Sequence, residues 1–350
     1  MNPTTETPQL STTHINRIKV AAVVLTIMGI GLFAYFIYAV GFWEIYYGIA
    51  RFGFDGFAVI VAIFFIRLCI RATTWKLSVH GPYSLKLSDT IPAVMIGEAM
   101  SNTIPMGILV SGTSKAIAVR RRIPLVAGLS SVATENLFYS FTTGVFLIFG
   151  AVTLLRTFAV DESVLLAVNI IIGVLAVLIL LGMVMVLRQW HFASETCEWL
   201  YQKGFARSLL EKGRLDVRLF ENLIYSFYRQ YPRRFLPICS LQIAYHLLGV
   251  AEVWFILSRL TDVSASLLSA FLLKTISRLI TILFKLIPFV IGVDEAGAQF
   301  IGQTVALTAG IGVTLAIIRK GRILFWTAAG MLLILKRGLS LREISTTEAH

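Results

Sequence analysis

Charged and polar side chains recur at helical spacing in a chain that is otherwise apolar. Asp294 and Glu295 sit together in "KLIPFVIGVDEAGAQF" (285–300), directly after the breaks Pro288 and Gly292. Upstream, Lys274, Arg278, Thr281 and Lys285 follow one another at steps of 4, 3 and 4, which is one face of a helix. Ser131, Glu135, Tyr139 and Thr142 repeat the pattern. Glu98 and Asn102 stand one turn apart before "NTIPMG", and Ser111 and Lys115 follow it. Further pairs are Arg67 with Arg71, Gln242 with His246, and Arg319 with Arg322. Lysine and arginine in such stripes suit phosphate oxygens. The carboxylates suit a balancing role, a cationic head-group part or a proton.

Other chemistries lack residues. No HExxH, CxxC, GxSxG or P-loop pattern occurs. The three cysteines, Cys69, Cys197 and Cys239, are scattered without metal spacing or a disulfide framework. No cofactor or metal is expected, and an enzyme is not expected.

The elements that must carry these residues follow from composition. The chain has 350 residues, 57% hydrophobic and 14% charged, against about 25% charged in a soluble domain. Mean hydropathy is +0.80. Apolar runs near 20 residues recur, the length that crosses ~30 Å of hydrocarbon as a helix. The first, Val20–Val40, is too long for a signal h-region and reads as a retained span. The net charge of +12 is explained largely by topology: residues 188–234 hold nine Lys/Arg, while the connections near 156–162 and 258–263 hold one each. This places both termini in the cytoplasm and residues 41–56 in an outer loop.

The stretch between Lys86 and Arg120-Arg121-Arg122 is basic at both ends, so it must enter and return. It reads as a re-entrant hairpin with its tip at Pro105-Met106-Gly107. Broken backbone at membrane depth requires protein or a water-filled cavity around it. Span (54–74), hairpin (87–119) and span (125–155) are then repeated from the opposite face by a span at 235–257, a hairpin at 264–309 and a span at 313–335. The expected fold is an all-α polytopic membrane protein with about six full spans plus two broken re-entrant hairpins in an inverted repeat. The repeats cover about 54–155 and 235–336, within one transmembrane domain, 19–338, flanked by tails 1–18 and 339–350. Phe220, Leu223, Ile224 and Phe227 form an amphipathic face, so the connector 188–234 is expected to lie in the plane of the inner leaflet.

Simpler accounts exist for some of these residues. Arg67, Arg71, Lys285 and Arg120–Arg122 could snorkel to head groups, and His246 could be a hydrogen-bonded interior histidine.

"NTIPMGILVSGTSKA", "LIPFVIGVDEAGAQF" and "LAIIRKGRILFWTAAGMLLILKRG" resemble the lysylphosphatidylglycerol synthase transmembrane-region family, over roughly Lys19 to Gly338. The most specific piece is Pro288, Gly292 and Glu295, and the arginine of the last span corresponds to Arg322. Asn102, Pro105 and Gly112 match the first hairpin, whereas Thr113 stands where glutamate would be and Lys115 where arginine would be. The Glu-Arg pair of the next span appears as Glu135-Asn136. The resemblance implies a flippase-like protein without the soluble synthase domain.

The expected function is translocation of a lipid with a phosphate-containing head group between leaflets of the cell inner membrane. An embedded enzyme or a scaffold in lipid or lipid-linked glycan synthesis is the alternative. The substrate-binding set comprises Glu98, Asn102, Lys115, Glu135, Lys274, Arg278, Asp294, Glu295 and Arg322. The hairpin breaks are Pro105, Gly107, Gly112, Pro288 and Gly292. Across the second hairpin, Asp294 and Glu295 are expected to face Lys274, Arg278 and Lys285. Expected partners are membrane lipids, with a second copy of the chain or a lipid-biosynthesis enzyme; nucleic acid is not expected.

Overall fold

The computed structural model describes residues 35, 38, 41–103, 107–158, 162–203, 207–261, 266–284, 292–304 and 309–336. Among them lie eleven helices and no strand: α1 (Phe42–Leu77), α2 (Leu87–Thr103), α3 (Gly107–Ala118), α4 (Leu125–Thr157), α5 (Glu162–Arg188), α6 (Phe192–Gln202), α7 (Arg207–Gln230), α8 (Pro232–Leu260), α9 (Leu267–Leu283), α10 (Val293–Thr304) and α11 (Ala309–Lys336). The chain is an all-α polytopic membrane protein. Helices α1, α4, α5 and α8 are long and apolar enough to cross a bilayer. The 28-residue α11 carries Arg319, Lys320 and Arg322 within its length. The apolar run Val20–Val40 lies almost wholly outside the described residues, and Pro105, Lys285 and Pro288 lie outside them entirely.

Both expected hairpins are formed from paired helices. Arms α2 and α3 pack on each other, as do α9 and α10. Gly292, at φ 82, starts the return arm of the second. That angle lies in the left-handed region, which costs a residue with a side chain but not glycine.

The helix packing has an internal symmetry. Exchange α1–α4 with α8–α11 in order, and every close packing among these eight helices maps onto another. Thus α2 against α11 corresponds to α9 against α4, and α1 against α11 to α8 against α4. The central pair, α1 and α8, maps onto itself and runs in opposite directions, with Asp55 beside Arg259, Arg67 beside Glu252 and Thr74 beside Gln242. A repeat whose halves face opposite ways brings its two first spans together in this manner.

Two expectations change. The outer loop 41–56 is helical instead: Phe42–Phe52 forms the first turns of α1, ending in a break at Gly53 (φ 72, ψ 169). Ile45 and Phe52, two turns apart, bury one side of this segment, and Gly48 lies against Thr314 of α11. Secondly, the apolar face of α7 is turned toward the protein rather than the leaflet. Phe227 is 1% exposed and packs with Phe138 of α4 and Ile238 of α8. The helix is tied down beyond that face, because Ser226 Oγ meets His80 Nε2, just past the end of α1, at 3.1 Å. Aromatic burial on protein offsets more than a shallow place in the head groups would, and the connector packs accordingly.

Candidate functional site

Helix α1 holds Arg67 and Arg71 one turn apart and directs them to carboxylates on two other helices. Arg67 Nη1 donates to Glu252 of α8 at 3.0 Å. From α11, Arg322 Nη1 reaches both oxygens of the same carboxylate, at 2.5 and 2.6 Å. Arg71 meets Glu135 of α4 at 3.1 to 3.3 Å through Nε and Nη2. Lys115 of α3 donates to Glu135 at 3.3 Å. Side-chain exposure is 0% for Glu135 and 1% for Glu252. A dehydrated carboxylate is tolerated when charge-assisted hydrogen bonds surround it, and here each has two cations.

Aromatic faces line the guanidinium groups. Two guanidinium groups lie over the Tyr139 ring, that of Arg71 at 4.7 Å from its centre and that of Arg278 of α9 at 5.1 Å. Arg67 lies over Tyr245 at 4.3 Å and Arg322 over Phe64 at 4.1 Å. Cation–π contacts of this kind strengthen as water leaves. Space for the long cations comes from glycines. A Cβ on Gly97 would lie 2.8 Å from Lys115 Cγ, and one on Gly249 2.7 Å from Lys274 Cε and 3.4 Å from Arg67 Cζ.

Among the described residues, the acids that follow Gly292 pair with cations other than Lys274 and Arg278. Asp294 faces Arg319 at 3.8 Å and Glu295 faces Lys320 at 2.5 Å, both on α11 rather than α9. Glu295 also accepts from the Gly292 N–H at 2.8 Å, closing the N-terminal end of α10. The reason lies in packing: α10 touches both α9 and α11, and the first-turn acids fall on the α11 side. Arg319 bridges back to α9, donating to Ser277 at 2.8 Å.

Lys274 and Arg278 are therefore left without their expected counter-charges. Among the described residues neither has a carboxylate within 4 Å, although Lys274 is only 7% exposed. The Arg278 Nε is buried without a hydrogen-bond partner. Among the described residues this cluster holds eight cations, Arg67, Arg71, Lys115, Lys274, Arg278, Arg319, Lys320 and Arg322, against five carboxylates, Glu98, Glu135, Glu252, Asp294 and Glu295. The surplus is positive.

The remaining expected residues fall around this cluster. Glu98 is 3.9 Å from Arg71 and, with 27% side-chain exposure, is the most open of the five acids. Asn102 donates to Thr327 of α11 at 3.4 Å, away from the charges. Gly107 begins α3, and Gly112 lies beside Val132. Arg67 and Arg71 do not snorkel; both are paired inside. His246 contacts Thr143 at 3.2 Å and is stacked between Phe146 and Tyr139, as an interior histidine. Sequence reasoning missed Glu252 altogether. The signal was there: a lone acid two turns inside the end of a largely apolar 29-residue helix.

The family model for the lysylphosphatidylglycerol synthase TM region matches residues 19–330, and the chain belongs to that family. No curated protein and no solved structure matches it.

Proposed function

We propose that this membrane protein is a lipid translocase that carries a phosphate-containing head group through the chamber between its two hairpins. The family is one of membrane proteins concerned with lipids, which supports the class of substrate. The observation that carries the reading is the pair Lys274 and Arg278, one turn apart on α9, both lacking a carboxylate in reach among the described residues. A buried ammonium or guanidinium without a counter-charge is costly. A phosphate oxygen supplies that charge and fits the guanidinium fork of Arg278. Arg71 and Arg278 both contact the Tyr139 ring, so a head group leaving one cation meets the next beside the same aromatic side chain. The tails stay in lipid, while broken helices at the midplane line the polar path.

Leaflet-resolved measurement in proteoliposomes tests this. Fluorescent phosphatidylglycerol in the inner leaflet is expected to become accessible to an external quencher faster than in empty vesicles. Absence of movement for phosphatidylglycerol, phosphatidylethanolamine and an isoprenyl phosphate, with the protein correctly folded, would refute the proposal.

A further inference from the structure

An apolar groove of about 490 Å³ opens at the break in α1, between that helix and α11. Its sides include Ile49, Phe52 and Phe57 from α1 and Ile317, Ile318 and Gly321 from α11. Two features set its orientation. Just before the break, Trp43, Tyr46 and Tyr47 are 51–65% exposed, the arrangement of aromatic side chains at the head-group level of a bilayer. At the break itself, Arg259 pairs with Asp55 at 2.5 Å and donates to the freed Phe52 carbonyl at 3.4 Å. The groove thus has an apolar floor with a charged pair beside Phe52 and Gly53 at its edge and exposed aromatics earlier in α1, the polarity profile of one lipid.

Its relation to the chamber is direct. On α11, Ile318 and Gly321 line the groove, while the adjacent Arg319 and Arg322 point to Ser277 and Glu252. Phe52 and Ile318 belong to a buried cluster with Val253, Ile256 and Leu257 of α8, the helix that carries Glu252. One wall therefore serves an apolar site outside and a polar site inside.

We infer that the groove is a docking site for a hydrocarbon chain of the transported lipid, held beside the chamber with its head group at the Asp55–Arg259 rim. The inference rests on the proposed lipid function and adds the place where the tail binds. The volume is in the range of small-ligand pockets, sufficient for much of one chain. A lipid is favoured over a protein segment because rim and floor reproduce the bilayer's own polarity gradient.

Photo-crosslinking of the full chain tests it. Benzoylphenylalanine replaces Phe54, at the groove and 86% exposed, or Leu178 on α5, 58% exposed, as a control. Both are reconstituted with phosphatidylglycerol and phosphatidylethanolamine, then stripped to a few lipids per chain in detergent. Position 54 is expected to keep about fivefold more lipid adduct than position 178. Because a Cβ on Gly321 already lies 3.3 Å from the Phe57 ring, Gly321→Trp fills the groove and should lower the adduct to the control level. If that variant misfolds by size-exclusion chromatography, Ile317→Phe serves the same purpose. Equal loss at both positions, no response to filling, or adducts to residues 20–40 or to a second chain would overturn the inference. Retained adducts without lipid movement would refute the translocase and leave the groove standing; movement without retained adducts would do the reverse.

Discussion

Arg67 and Glu252 are 185 residues apart in the chain and 3.0 Å apart in space, each almost fully buried. They join the two first spans at the centre of the helix exchange symmetry, and Arg322 closes on the same carboxylate from the last span. Three helices from both halves thus meet on one acid.

Glu252→Gln should destabilise the protein strongly. Removing one member of a buried ion pair leaves the other uncompensated, at a cost of roughly 3–5 kcal/mol; here two guanidinium groups are left. Thermal unfolding in detergent should fall markedly, with partial recovery in Glu252→Gln/Arg322→Met. An unchanged midpoint would show that the pair contributes nothing.

Lys274→Gln and Arg278→Gln should behave oppositely. No described carboxylate within salt-bridge reach depends on either cation, so stability should hold or rise. A charge-assisted contact is worth about 1.5–3 kcal/mol, so each change should slow lipid movement by roughly ten- to hundredfold. Loss of stability without loss of transport would place both residues in the scaffold.

Gly249→Ala tests the space those cations occupy. The added methyl would sit 2.7 Å from Lys274 Cε, a crowding that costs roughly 1–3 kcal/mol unless the lysine moves. Transport should fall while helix content by circular dichroism stays constant, and Gly249→Ala/Lys274→Ala should regain stability. No recovery in the double variant would locate the strain elsewhere.

Phe227→Ala should cost ~3–5 kcal/mol, since the ring is buried against Phe138 and Ile238. A connector lying freely on the leaflet would lose little. Unfolding by denaturant, compared with the exposed Leu219→Ala, distinguishes the two.

Much of this was legible in the chain, and the misses share a cause. Residues 54–155 and 235–336 show their helices because apolar length and breaks are local properties. Ser131, Glu135, Tyr139 and Thr142 show their common face because helical spacing is local too; Ser131 meets Trp75 and Glu135 meets Arg71. Which helix an acid faces is not local. The sequence suggests that Asp294 and Glu295 face the opposite arm of their hairpin, yet both pair from α10 with cations of α11. Glu252 has no ionisable residue three or four positions away on its helix to start a stripe, so spacing could not reveal it. Its partners come from α1 and α11, chosen by packing that only the folded chain displays.

On the proposed function, the unpaired cations of α9 receive a phosphate head group. Leaflet-resolved movement of fluorescent phosphatidylglycerol, compared between the natural chain and Lys274→Gln/Arg278→Gln, measures this most directly. Rapid movement is expected for the first and a rate near that of empty vesicles for the second, at equal thermal stability. Equal rates from the two proteins would contradict it.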